Sequence, residues 1–419
     1  MLLMGSIFVV GYMAIVFEHS LKLNKAGAAL LTGTTLWALL NLYPGYETGI
    51  LNHHLTESMA EIAGIVFFIL SAMVIVEIID THHGFTVIFD LIKPQTTRGF
   101  VWIAGWGAFF LSAILDNLTT TIVMISMLRK TNLDVRQKMC AASIFIIAAN
   151  AGGVWSPIGD ITTTMLWVNE KITTGAIVVR LFFPSVLSFL VPLLIVTFMY
   201  FKKQEPFSIE KKEGDVGGYP KLIFVLGICL LASVPVFKML IHIPPYLAMM
   251  LSLGIFWIII EIFFRKHSSA VSDINSILKK IDYSTIFFFI GILLAVSALN
   301  EIGIFSEMSR IISRSNLGIP AVTAILGVLS AIVDNIPLLA AAMKMFPVES
   351  YPKDHHVWTY LAFCTGYGGN LLIIGSAAGV AAMSFINISF IWFLRRFTII
   401  AAIGFMAGMA VLLLLNSVS

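Results

Sequence analysis

Three aspartates stand inside stretches that are otherwise apolar: Asp116 in SAILDNLTTT, Asp160 in AANAGGVWSPIGDITTT and Asp334 in SAIVDNIP. An ionisable side chain at membrane depth costs about 3 kcal/mol or more, and persists mainly where it binds something. The polar side chains near these aspartates and in a second such stretch, GYGGNLLIIGS, are amides and hydroxyls: Asn117, Thr119, Asn150, Ser156, Asn335, Asn370 and Ser376. Hard monovalent cations are coordinated by such oxygens together with carbonyls freed where a helix breaks. The residue types therefore predict a cation site, with Asp116, Asn150, Asp160 and Asp334 at its centre. A carboxylate in a poorly solvated cavity titrates nearer neutrality than its solution value of about 4, so the same oxygens can hold a proton or a metal cation. Competition of that kind is enough to couple two ion movements.

Each aspartate also suits a helix cap, although Asn, Ser or Thr would cap without burying a charge. Glu77 and Asp80, in EIIDTHHGF, are candidates for a proton relay, whereas Glu61 and Glu301 fall at span ends. Hydroxyls in membrane helices commonly bond back to the preceding turn, so Thr120, Thr121, Thr162, Thr163 and Thr164 are open to both readings. The histidine pairs at His53, His82 and His355 read as interfacial.

The elements that hold these residues belong to a membrane protein. Of 419 residues, 58% are hydrophobic and 12% charged, and mean hydropathy is +0.95, too apolar for a solvated surface. The net charge of +3 implies no nucleic-acid partner. Cys140, Cys229 and Cys364 lack metal-ligand spacing and read as packing residues. No HExxH, GxSxG, Walker A or dinucleotide fingerprint occurs, so no enzyme and no cofactor is implied. Ile7 to Phe17 reads as a first span, not a signal peptide.

Apolar spans of about 20 residues fall near 2–18, 26–43, 59–80, 139–168, 176–201, 221–240, 245–264, 283–301, 357–385 and 397–416. Two of these, 139–168 and 357–385, contain glycines and polar residues at mid-span and read as broken helices. The apolar stretches 99–128 and 317–345 turn at Asp116-Asn117 and Asp334-Asn335. Residues 117–128 would make an arm only about 16 Å long, half a crossing, so both stretches read as re-entrant hairpins. Most of the 26 lysines and arginines then lie on one side, which predicts a cytoplasmic linker and both termini outside.

The order hairpin then broken helix occurs twice. SAILDN matches SAIVDN, the region from Ile65 matches that from Thr285, and the interval from Asn150 to Ser156 equals that from Asn370 to Ser376. That last match sets Val380 opposite Asp160. The expectation is an all-α polytopic protein of two inverted five-span repeats, 1–201 and 221–419, joined by a linker at 202–220. Such an architecture belongs to secondary transporters.

EIIDTHHGF at Glu77–Phe85, LDNLTTT at Leu115–Thr121, NAGGVWSPIGDITTT at Asn150–Thr164 and VDNIP at Val333–Pro337 resemble NhaD-type sodium/proton antiporters of the ion transporter superfamily. The resemblance implies a scaffold domain, a transport domain with two hairpins, a homodimer in a cell inner membrane, and exchange of Na+ or Li+ for H+. Arsenite-type and organic-anion permeases share the topology, and a cation channel would use the same oxygens. Dicarboxylate members carry Ser-Asn-Thr at the hairpin tips, where this chain has Asp.

Overall fold

A computed structural model describes residues 2–16, 21–42, 48–91, 94–201, 206–208, 219–264, 274–314 and 317–418. Among them every element is helical, apart from an isolated bridge between Thr96 and Pro206. Six helices are long and apolar enough to cross a membrane: α3 (Thr48–Thr81), α9 (Thr174–Tyr200), α10 (Tyr219–Ile241), α11 (Pro245–Ile259, continued by a π turn), α13 (Tyr283–Glu301) and α20 (Thr398–Val418). α1 (Leu2–Val16) and α2 (Lys25–Leu42) precede them. Apart from 206–208 and 219–220, the linker expected at 202–220 lies outside the described residues. Phe207 stacks on Phe100 at 4.3 Å between ring centroids.

The stretches 99–128 and 317–345 each hold two helices joined by a short turn: α5 (Thr97–Ser112) and α6 (Asn117–Arg129), then α15 (Ile319–Leu329) and α16 (Asn335–Met345). The longest arm has 16 residues, about 24 Å at 1.5 Å per residue, against about 30 Å of hydrocarbon. No arm crosses alone. Lys130, at the open end of the first hairpin, shares a cavity with Glu77 and Asp80 of α3. Lys344, at the open end of the second, pairs with Glu61 of α3 at 3.2 Å. The hairpins therefore open toward opposite ends of α3.

Two further helices are interrupted. α7 (Val135–Val154) stops before α8 (Ile161–Val168), and α17 (His356–Gly368) stops before α18 (Ala377–Ile386), with a 3-10 turn at Ile373–Gly375 between the latter two. Every residue from Cys140 to Val154 is buried, as is every residue from Val357 to Gly368. Helices apolar on all faces belong at the centre of a protein, and these two carry the breaks there.

Some boundaries differ from the hydropathy reading. The third span was expected at 59–80, yet α3 begins at Thr48, because a helix can continue beyond the hydrocarbon through polar residues such as His53 and Glu57. Four short helices have no counterpart among the expected spans: α4 (Thr86–Leu91), α12 (Ile274–Leu278), α14 (Ile304–Arg314) and α19 (Phe390–Arg396). They are too short or too polar for a span-length search to find, and α14 places Glu307 beside Arg310 on one exposed face.

Candidate functional site

Both hairpin tips and the first break meet at one cavity of about 160 Å3. Asp116, Asn117 and Thr119 line it from the first tip, Asp334 and Asn335 from the second, and Asp160 and Thr164 from the break. Apolar wall is supplied by Phe68 and Ile69 of α3 and by Phe288 and Phe289 of α13. The three aspartates, scattered over more than half the chain, therefore face one space.

Their local settings differ. Asp116 is the N-cap of α6; its Oδ1 accepts the Thr119 amide at 2.7 Å and its Oδ2 the Thr119 hydroxyl at 2.7 Å. Asp334 caps α16, but only through Oδ1 to the Ile336 amide at 3.2 Å. Pro337 stands where Thr119 stands in the first tip and has neither an N–H nor a hydroxyl to offer. Asp160 occupies the N-cap position of α8 without the close hydrogen bond to the third helical amide that Asp116 makes, its carboxylate lying instead by the Ile161 and Thr162 amides. Its Oδ2 accepts the Thr162 hydroxyl at 2.8 Å, and the residue is only 2% exposed. Capping thus accounts for part of what each aspartate does, and for least of what Asp160 does.

The break itself is held by side chains that take up its freed carbonyls, as a gap in a helix at membrane depth requires. Thr164 donates its hydroxyl to the Pro157 carbonyl at 2.9 Å, and Thr163 donates to that of Val154 at 3.3 Å. A Cβ on Gly366 of α17 would sit 2.8 Å from Asp160 Oδ2 and 2.6 Å from Val154 Cγ2. Only glycine lets α17 pass so near the carboxylate.

A chain of amides leads away from the cavity. Asn117 Nδ2 donates to Asn150 Oδ1 at 2.9 Å; Asn150 Nδ2 donates to Asn370 Oδ1 at 2.7 Å and to Ser376 Oγ at 3.1 Å. All four residues are buried. Asn117, which also lines the cavity, thereby connects the first tip to the second break.

Two of the expected site residues pair differently from the sequence match. The Asn-to-Ser interval sets Ser156 beside Ser376, but in the structure Ser376 is the N-cap of α18, the position that Asp160 holds before α8. The backbone explains it. A Cβ on Gly153 would lie 2.6 Å from the Gly159 carbonyl oxygen, and one on Gly369 would lie 2.8 Å from that of Gly375. The matching frame is GG, five residues, then Gly-Asp160 or Gly-Ser376. Ser156 reaches neither the cavity nor the amide chain; its Oγ accepts only the Ile158 amide, at 3.4 Å.

Glu77 and Asp80 lie apart from the central cavity. They line a second space of about 310 Å3 with His83, Ser126 and Lys130, and Thr119 lines both spaces. Glu77 also pairs with Lys280 at 3.4 Å. Three residues of the central site carry no mark in the sequence: Lys25, Asp282 and Thr285 line the cavity from the starts of α2 and α13. Charges at span starts read as ordinary interfacial residues, and only the packing of α2 on α13 turns them inward. Tyr12 of α1, whose hydroxyl accepts the Asp334 amide at 3.1 Å, is likewise invisible until the chain is folded.

A family model described as citrate transporter, CitMHS, matches residues 12–366. The chain belongs to this family. It is a multi-pass membrane transporter, not an enzyme. Sodium/proton antiporter 1 of Arabidopsis thaliana is 40% identical to it over 99% of this chain and 72% of the relative. Sodium/proton antiporter 2 of the same plant is 38% identical over 97% of each chain. The Na(+)/H(+) antiporter NhaD of Vibrio cholerae is 30% identical over 98% of this chain and 91% of the relative.

Proposed function

We propose that the chain exchanges Na+, or Li+, for protons, and that both ions are held at Asp116, Asp160 and Asp334. The observation that carries this reading is the convergence of three carboxylates on one cavity of about 160 Å3. None of the three has a salt-bridge partner among the described residues. Uncompensated carboxylates against apolar walls must take up protons or cations. Thr119, Thr162, Asn117 and Asn335 add neutral oxygens, and Asn150, Asn370 and Ser376 fix the amide chain behind them. Glu77 and Asp80 serve as the proton relay in the neighbouring space, with Thr119 between the two. The names of the full-length relatives support the same choice of ions.

The architecture we propose with it is a pair of inverted repeats, 1–201 and 221–419, each supplying a re-entrant hairpin and a broken helix to a transport domain. Hairpins that open toward opposite ends of α3 support the inversion. The end bearing Lys130 and Lys280 is cytoplasmic, the termini are outside, and the protein is a homodimer.

Lys25 at the cavity and the description of the family favour a second reading, in which the substrate is an organic anion such as citrate. The charge count opposes it: one ammonium faces four carboxylates, those of Asp116, Asp160, Asp282 and Asp334. The deciding measurement is dye quenching in proteoliposomes carrying an imposed pH gradient, with NaCl, LiCl, KCl or citrate added in turn. Collapse of the gradient by Na+ and Li+ is expected, whereas a response to citrate alone would replace the antiport reading. If proton and cation compete one for one, apparent Na+ affinity weakens about tenfold per pH unit on the acid side of the controlling pKa. An affinity constant across pH would rule out a shared site.

A further inference from the structure

We infer that Tyr12 is a positioning residue for cation binding at Asp334, anchoring the backbone of that turn from another helix by accepting the Asp334 amide. The inference rests on the proposed cation exchange and goes beyond it. At the first tip Thr119 supplies two donors, amide and hydroxyl, and occupies both carboxylate oxygens of Asp116. At the second tip Pro337 removes both. Asp334 Oδ2 accepts no hydrogen bond among the described residues; the turn is held from α17 by the Ser330 hydroxyl donating to the Thr365 carbonyl at 2.8 Å, and from α1 by the Asp334 amide donating to Tyr12 Oη at 3.1 Å.

This contact spans 322 residues in sequence. Tyr12 is half-buried on α1 and its ring stacks on Phe8 at 5.8 Å, so the hydroxyl is presented by a packed ring and not by a loose side chain. α1 packs against α2 so closely that a Cβ on Gly11 would overlap the Thr32 side chain. Both turns are tied to a broken helix, the first by Ser112 donating to the Ala149 carbonyl at 2.6 Å and the second by Ser330 donating to that of Thr365 at 2.8 Å; the Asp334 turn is in addition pinned to α1 through Tyr12. With its oxygen accepting from the Asp334 amide, the Tyr12 hydroxyl keeps its own proton to donate. Asp334 keeps one carboxylate oxygen for a cation. Tyr12 sets where that oxygen points.

The test compares Tyr12→Phe with the wild type in Na+-driven proton release from proteoliposomes. The variant keeps the ring and its stacking on Phe8 and loses one hydrogen bond, a change of about two- to tenfold in affinity. The expected result is a Na+ KM raised by about that factor with kcat within about twofold. An unchanged KM in Tyr12→Phe overturns the inference. A fall in kcat and in thermal stability together, at constant KM, would make Tyr12 a packing residue and overturn it as well. Absence of Na+-driven proton release in the wild type would instead refute the exchange reading, so the two failures are distinct.

Discussion

The break between α7 and α8 and the break between α17 and α18 are built on one frame and furnished differently. Each has two glycines, five residues, another glycine and then the residue that starts the next helix. In the first that residue is Asp160, followed by Ile161 and then three threonines; in the second it is Ser376, followed by Ala377, Ala378 and Gly379. Ser376 caps its helix through the Gly379 amide at 3.2 Å, while Asp160 accepts the Thr162 hydroxyl at 2.8 Å and lies by the Ile161 and Thr162 amides. The facing helices differ in the opposite sense. Asn150 on α7 reaches across to Ser376, whereas Gly366 on α17 has no side chain and makes room for Asp160. A similar backbone thus gives a charged half with an empty neighbour and a neutral half with a filled one. Net charge, and with it titration, is confined to the first break.

The largest effect expected from this contrast is at Asp160. Asp160→Asn keeps the volume and the Thr162 contact but removes the charge, and should lower Na+-driven proton movement by about 100-fold or more, the scale of losing a proton-transferring group. Ser376→Ala leaves the net charge untouched and should remain active. Asp116→Asn and Asp334→Asn should fall with Asp160, because all three share the cavity. Near-normal exchange in any two of the aspartate variants would remove the site from this cavity.

Gly366→Ala tests the empty side of the same contrast. The added Cβ would stand 2.6 Å from Val154 Cγ2 and 2.8 Å from Asp160 Oδ2, an overpacking that costs about 1–3 kcal/mol. Thermal unfolding in detergent should shift downward by several degrees, and Na+ affinity should fall with it as the carboxylate is displaced. A glycine with ordinary room around it, such as Gly175 or Gly254, near which a Cβ meets nothing within 4 Å, supplies the control.

Asn150→Ala tests the filled side. It leaves the Asn117 amide, Asn370 Oδ1 and Ser376 Oγ without their shared partner, and each stranded buried group costs about 1–3 kcal/mol where nothing replaces the bond. The expected outcome is a loss of stability with about tenfold weaker Na+ binding, read by calorimetry. Asn150→Asp keeps the acceptor toward Asn117 and adds another carboxylate, so its stability should fall less at acid pH than at neutral pH. Equal melting temperatures for Asn150→Ala and the wild type would show that the amide chain holds nothing.

Much of this arrangement is legible in the chain before it folds. Glycine, proline and polar residues inside an apolar run interrupt a helix for local reasons, so both breaks and both hairpin turns are readable. The aspartates stand out because burial of charge is costly wherever it occurs. What is not readable depends on distant packing. Tyr12 is an ordinary aromatic in an apolar helix until α1 meets the α15–α16 turn, and Lys25 and Asp282 are ordinary span-end charges until α2 packs on α13. The register between the halves was readable and easily missed: the Asn-to-Ser match is exact in interval but weaker than the glycine spacing, which the backbone contacts enforce.

The two serines give the smallest effects and the sharpest test of that register. If Ser156 and Ser376 were equivalent, Ser156→Ala and Ser376→Ala would cost the same. The contacts are unequal: Ser376 caps α18 and accepts from Asn150 at 3.1 Å, while Ser156 has one long contact to the Ile158 amide at 3.4 Å. Loss of a helix cap costs about 1 kcal/mol, and the stranded Asn150 donor adds to it. Ser376→Ala should therefore melt several degrees lower and bind Na+ a few-fold more weakly. Ser156→Ala should stay within about 0.5 kcal/mol of wild type, as substitutions away from such features do. Equal losses in the two would restore the Asn-to-Ser register and leave Asp160 with an apolar counterpart at Val380.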